Sequence, residues 1–373
     1  MPGSSPTPAA PEPADGLHLA IAGATGAVGL EFLEVLAQRD FPIRKLTLLA
    51  SSRSAGKTLD FRGTPHVVRE LTEGSFEGVD VALFSAGGAQ SKAFAAAAVG
   101  AGAVVVDNSS AFRMTDGVPL VVPEVNPEAI PGAGLGLSRR GGRAGVIANP
   151  NCSTIIMLVA LHPLHAAAGV RRIVVSTYQA ASGAGLSAMQ ELEQQTREAL
   201  DDPRGRASTM DVFGKQYAFN LFSHNSPMQP NGYNEEELKM VHETHKIWGQ
   251  LGAPAPDRTA ITATCVRVPV MRAHAESINL TLDRALTADA ARALLADAPG
   301  VSLIDDREAN RFPEPLDAAG RDDVYVGRIR DDLSQPQGRG LDLFVCGDQI
   351  RKGAALNAVQ IAELLVGAPV GQA

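Results

Sequence analysis

The sequence predicts an α/β protein in two parts, a parallel-sheet half followed by an α+β half on a mixed sheet. Three observations carry that expectation. Residues 17–21 form an apolar run that passes directly into Gly23-Ala24-Thr25-Gly26-Ala27-Val28-Gly29, and helical periodicity follows over 30–36, giving the order strand, glycine turn, helix. Further apolar runs at 79–84 and 104–106 end in small or polar loops. Beyond residue 151 the chain alternates amphipathic helices with β-branched strands at 170–177, 261–270, 277–283, 324–329 and 341–345. With 373 residues and 45% hydrophobic content the chain has enough material for two cores. The boundaries expected are a disordered lead-in over 1–16, a first domain over 17–151, a second over 152–350, and a helix over 353–366 that returns to the first.

Composition excludes several classes. A formal net charge of -8 argues against a nucleic-acid surface, while leaving room for a local basic pocket. Cysteines stand only at 152, 265 and 346, without metal-ligand spacing, so neither a disulfide framework nor a metal site is expected, and the compartment is expected to be reducing and cytoplasmic. The lead-in is rich in Pro, Ala and Ser and lacks Arg and Lys, which fits neither a signal nor a transit peptide. No apolar run reaches the roughly 18 residues of a membrane span.

In the first half, Gly23, Gly26 and Gly29 allow backbone to approach a pyrophosphate at a helix N-terminus, which makes this a Rossmann-type dinucleotide-binding domain. A glycine turn with no ligand is the alternative. The next strand, 45–49, leads to Ser51-Ser52-Arg53-Ser54-Ala55-Gly56-Lys57, where an NAD-specific protein tends to place a carboxylate. Hydroxyls with Arg53 and Lys57 suit a 2′-phosphate, hence NADP; the alternative is a solvated loop. The loops Ser85-Ala86-Gly87-Gly88 and Asp107 to Arg113 follow strands and should face the ligands, with Arg113 as an anion ligand or an ordinary surface arginine.

The second half starts from Asn149-Pro150-Asn151-Cys152-Ser153-Thr154, in which Pro150 turns the chain, Asn151 caps, and Cys152 opens an apolar helix. The helix N-terminus favours thiolate, making Cys152 a candidate covalent catalyst as against a core-filling thiol. Gln179 heads the small-residue loop Ala180 to Gly185, which contains Ser182 and Gly183 and allows close approach to a ligand or acts as a linker. An amphipathic helix is expected over 186–200 and irregular chain through 229. On the helix 235–248, Glu236 and Lys239 share a face, one suited to an ammonium and the other to a phosphate, or both to an exposed ion pair. Arg267 suits a carboxylate, and His274, which follows a short turn and precedes the strand 277–283, could exchange a proton with Cys152. Asn357 lies on the last helix.

Together these segments resemble the aspartate-semialdehyde dehydrogenase family from about residue 17 to 366, through GATGAVG, SSRSAGK, DNSSAFR, NPNCST, QAASGAG, EEELK, CVRVPVMRAH, VGRIR and KGAALNAVQIAE. The resemblance implies Cys152 as acyl-thioester nucleophile, His274 as acid/base and Gln179 as the substrate-orienting residue. It implies phosphate at Arg113 and Lys239, carboxylate at Arg267 and amino group at Glu236. Cofactor contacts would fall on Thr25, Gly26, Ala27, Val28, Arg53, Ser54, Ser182, Gly183 and Asn357. It further implies NADPH-dependent reduction of 4-phospho-L-aspartate by a homodimer or pair of dimers. Two alternatives are an N-acetyl-glutamyl-phosphate reductase, whose acetylated amine would have no charge for Glu236, and a non-catalytic NADP-binding regulator.

Overall fold

The computed structural model describes residues 16–130, 145–336 and 338–367. The lead-in expected over 1–16 therefore lies outside the described residues except for Gly16.

The first sheet has six parallel strands in the order β5-β2-β1-β6-β7-β8. These are β1 (Leu17–Ala22), β2 (Ile43–Ala50), β5 (Arg69–Glu70), β6 (Val81–Phe84), β7 (Val104–Asp107) and β8 (Gly145–Ala148); a separate hairpin is formed by β3 (Thr58–Phe61) and β4 (Thr64–Val67). Strands covered on both faces read as continuous apolar runs, and β1, β6 and β7 are buried throughout. Strand order reverses between β1 and β6, so a crevice opens beyond their carboxyl ends, where the glycine turn leads into helix α1 (Ala27–Gln38). Helix α2 (Gly88–Gly100) follows β6. The four-residue strand β8 was too short to show a period in the sequence.

Helix α3 (Cys152–Ala168) leads to a seven-stranded mixed sheet in the order β10-β11-β9-β12-β15-β14-β13. Its strands are β9 (Val170–Gln179), β10 (Phe222–Ser223), β11 (Ala260–Arg267), β12 (His274–Leu282), β13 (Val301–Leu303), β14 (Val324–Asp331) and β15 (Gly340–Gly347). Strand β9 runs parallel to β11 and antiparallel to β12, which brings the ends of all three to one edge of the crevice. Helices α4 (Leu186–Asp201), α5 (Glu235–Ile247), α6 (Ala288–Ala296) and the single turn α7 (Pro315–Ala318) surround the sheet. The larger core joins α3, α5 and α6 to one sheet face through Ile155, Met157, Leu158, Met240, Ile278, Leu295 and Leu343.

Two expectations shift. Strand β11 ends at Arg267 instead of 270, because Pro269 cannot donate to a ladder. Strand β12 opens at His274 instead of 277; Ala273 takes the left-handed φ of 73° and delivers His274 there.

The expected C-terminal helix starts earlier, as a π-helical turn over Arg351–Ala355 whose amides bond five residues back (Gly353 to Asp348, Ala355 to Ile350), and continues as α8 (Leu356–Val366). Helix α8 packs Leu356, Val359, Ile361 and Leu365 into the core of the first sheet with Leu19, Ile21, Val81 and Phe32. Charged contacts reinforce that return: Arg272 bridges Glu31 of α1 (2.8 Å) and Asp348 (2.5 Å), and Arg351 reaches Glu31 (3.2 Å). Lys352 is fully buried, donating to Glu124 (2.6 Å), Gln360 (2.7 Å) and Asn357 (3.0 Å). Replacing it with Met strands the Glu124 carboxylate, so Lys352→Met should lower the unfolding free energy by about 3–5 kcal/mol in urea titration, and a loss under about 1 kcal/mol would mean Glu124 re-solvates freely.

Candidate active site

The cysteine is placed by its neighbour. The Asn151 side chain caps α3 by accepting from Ser153 N (3.1 Å) and Thr154 N (3.3 Å). Its amide nitrogen donates to Glu236 Oε1 (2.9 Å), and its backbone N–H donates to Glu243 Oε2 (2.6 Å). Cys152 is thereby held, half-buried, at the helix start. The π-helical turn closes behind it: a Cβ at Gly353 would stand 2.7 Å from Cys152 Cβ, so only glycine fits.

Around the thiol lies a cleft of about 340 Å³. Among the expected residues it is lined by Val28, Ser85, Arg113, Asn151, Cys152, Gln179, Ser182, Gly183, Glu236, Lys239, Arg267 and His274, by Asn108 of the loop expected to face the ligands, and also by His224 and Gln349, which the sequence did not single out. Gln179, at the end of β9, donates to Ser153 Oγ (2.9 Å) and Glu236 Oε1 (3.3 Å). Arg267, at the end of β11, donates to Asn225 Oδ1 (3.2 Å) and lies over the Phe213 ring. Arg113 donates to Asn149 O (2.9 Å), Asn108 O (2.9 Å) and Glu243 Oε1 (3.0 Å). Glu236 and Lys239 meet each other at 3.0 Å.

His274 Nδ1 accepts the Ala180 N–H (3.0 Å). A neutral imidazole so bonded carries its proton on Nε2, which is buried and has no partner within the protein. Burial, aided by Arg267, pushes its pKa down to about 3, and burial pushes that of His224 down to about 4. Burial opposes ionisation of Glu236, yet Lys239, His224 and Asn151 hold it well below the usual carboxylate range.

The sequence suggested a thiol biased toward thiolate by the helix N-terminus. The structure reverses this: burial first, then the Glu236 carboxylate, push Cys152 up to about 12, against the pull of Arg113, Arg267 and the Ser153 amide. Desolvation penalises the anion more than one helix end favours it.

The glycine turn fits a dinucleotide. Gly23 takes φ 91°, with Ser85 O only 2.4 Å from where its Cβ would be, and Gly26 caps α1 without a side chain, leaving backbone donors for an anion. Thr25 and Ala27 lie in the same turn, Thr25 Oγ1 reaching Ser54 Oγ at 3.4 Å. Ser52 and Arg53 are exposed on the loop after β2, and Gly87 caps α2 at φ 86°. Asn357 does not line the cleft: it is fully buried, and its amide is committed to Asn149 Oδ1 (2.6 Å) and Val121 O (3.0 Å). Among the described residues no group of His, Cys, Asp or Glu is arranged to hold a metal, and no helix is long and apolar enough to cross a membrane.

Fold and site together define a nicotinamide-dependent oxidoreductase with a thiol at the centre of its cleft. Residues 18–133 match the semialdehyde dehydrogenase NAD-binding domain and 161–352 the semialdehyde dehydrogenase dimerisation domain. An aspartate-semialdehyde dehydrogenase of Synechocystis is 54% identical over 94% of this chain and 97% of its own length. The structure of aspartate semialdehyde dehydrogenase II of Vibrio cholerae, complexed with ASA, superposes with a TM-score of 0.86 at 45% identity, covering 95% and 99% of the two chains. The NADP-bound enzyme of Candida albicans gives 0.72 at 26% identity, covering 96% and 100%. The chain belongs to the aspartate-semialdehyde dehydrogenase family.

Cys265 and Cys346 are buried, so alkylation reports on Cys152. In the free protein its rate with iodoacetamide should keep rising with pH through the ~8.5 of an ordinary thiol; a plateau reached below neutrality would show a thiolate already formed.

Proposed function

We propose that the protein reduces 4-phospho-L-aspartate to L-aspartate 4-semialdehyde and phosphate with NADPH, reversibly and through a Cys152 thioester, in the biosynthesis of lysine, threonine, methionine and isoleucine. One observation carries the reading: a single cleft gathers a thiol, an imidazole with a free donor, three cations and one carboxylate. That set complements a substrate with a phosphoryl group, a carboxylate and an ammonium.

The substrate ammonium takes Glu236, displacing Lys239 toward the phosphoryl group beside Arg113, while Arg267 grips the carboxylate with its planar fork. Pairing Glu236 with the ammonium also offsets the one charge that raises the thiol, so that Arg113 and Arg267 are opposed by burial alone. Cys152 sulfur attacks the acyl carbon, the C–O bond to phosphate breaks, and the thiol proton leaves with the phosphate. Gln179, tethered to Ser153, orients the carbonyl. When bound, reduced nicotinamide supplies the hydride that converts the thioester into a thiohemiacetal. His274 Nε2 donates to the oxygen as charge develops there and takes the proton back as the C–S bond breaks; a solvent proton restores the thiol.

The cofactor would be held by Gly23, Thr25, Gly26, Ala27, Val28, Ser85, Gly87, Ser182 and Gly183, with Ser52, Arg53 and Ser54 on a 2′-phosphate. The loop from Ser51 to Lys57 has no carboxylate to repel one, which supports NADP, as does the cofactor of the Candida relative. The match to a dimerisation domain supports a homodimer or a pair of dimers. The reducing compartment expected from three unpaired cysteines puts it in the cytoplasm.

Absorbance of the reduced nicotinamide tests the reading with NADP, phosphate and L-aspartate semialdehyde, beside N-acetyl-glutamate semialdehyde. Phosphate-dependent signal with the free amino substrate alone is expected; signal with the acetylated compound alone would overturn the assignment. Cys152→Ala should abolish turnover. Arg267→Lys should raise the semialdehyde KM roughly tenfold to a hundredfold with a smaller effect on kcat, since one charge-assisted bond is lost, and an unchanged KM would remove Arg267 from the carboxylate site.

A further inference from the structure

Helix α5 carries a stripe of alternating charge, Glu236, Lys239, Glu243 and Lys246, spaced three or four residues apart on one face. The family resemblance accounts for the first two. Glu243 stands behind the cleft wall, only 1% exposed, and neither of its oxygens is idle: one accepts Arg113 Nη1 at 3.0 Å and the other the Asn151 N–H at 2.6 Å. Lys246 continues the pattern by donating to Arg113 O (2.7 Å) and Thr115 O (2.9 Å).

We propose that Glu243 is a positioning residue for the phosphoryl half of the reaction, holding the Arg113 guanidinium and the backbone before Cys152 in one fixed relation. This rests on the reading of Arg113 as a phosphate ligand. A guanidinium has five N–H groups, and the protein occupies three of them, Nε on Asn149 O, one on Nη1 with Glu243 and one on Nη2 with Asn108 O. One N–H on each terminal nitrogen is left over for an oxyanion in the cleft that Arg113 lines. Asn149 O and Asn108 O are neutral acceptors on loops, so Glu243 is the partner that supplies charge and, through helix α5, a rigid support. Because the same carboxylate holds Asn151, any shift of Arg113 is coupled to the start of α3. Burial works against charge on Glu243, with Arg113 and the Asn151 amide opposing, as expected of a carboxylate retained for its bonds.

A double-mutant cycle tests this in the phosphorylating direction, with inorganic phosphate and L-aspartate semialdehyde varied separately. Glu243→Gln keeps an acceptor for Asn151 but turns an amide toward Arg113. It should raise the phosphate KM on the order of tenfold and leave the semialdehyde KM within about twofold, because the semialdehyde carboxylate is held by Arg267. In an Arg113→Gln background the same change should add nothing to the phosphate KM. An unchanged phosphate KM, equal rises in both KM values, or effects that multiply in the double variant would each overturn the inference. Should Glu243→Gln fail to fold, Glu243→Asp, too short to span both partners, must give the same selective rise; if neither folds, Glu243 serves the fold and the inference falls. The single Arg113→Gln variant separates the two levels: a normal phosphate KM there removes Arg113 from the anion site, whereas a raised one beside a silent Glu243→Gln removes only Glu243.

Discussion

The site depends on how tightly one asparagine is held. Asn151 uses its carbonyl oxygen to cap α3, its amide nitrogen on Glu236, and its backbone N–H on Glu243. Both carboxylates come from α5, a helix far along the chain, so the position of the thiol is set by the second sheet's layer and not by the turn that precedes it. The cap alone is worth about 1 kcal/mol. Its greater effect is geometric, since a nucleophile displaced by an ångström loses most of its advantage.

Several buried charges are handled by pairing. Arg113 with Glu243, Lys239 with Glu236, Lys352 with Glu124, and Arg272 with Asp348 and Glu31 are compensated locally. Glu276, one pleat beyond His274 on β12, is not: neither of its oxygens is bonded within the protein, and burial holds it well above the usual carboxylate range. His274 itself is neutral for the same reason. A neutral donor beside these cations lets the site stabilise charge that develops during the reaction.

Much of this was legible in the sequence because it is local. The glycine turn of Gly23 to Gly29, the cap at Asn151 and the strands carrying Gln179 and Arg267 each announce themselves within a few residues. What was not legible depends on partners remote in the chain. The direction of the Cys152 shift reversed because burial and Glu236 outweigh the helix end, and neither can be weighed from NPNCST alone. Asn357 matched a cofactor motif but spends its amide on Asn149 and Val121. Glu243 could have been found by extending the Glu236 and Lys239 stripe one further turn; its link to Arg113, 130 residues away, could not. The start of β12 was expected at 277 and lies at His274, because Ala273, not a glycine, takes the left-handed conformation that ends the turn.

The return of α8 to the first sheet has a consequence for how the protein is made. Leu356, Val359, Ile361 and Leu365 complete an apolar face formed by strands that leave the ribosome well before them. More than two hundred residues separate the two, so at ribosomal speed that face waits roughly ten to fifty seconds for its cover. During that interval the nascent dinucleotide fold is an open sheet with one apolar side uncovered, and α8 is the element that closes it.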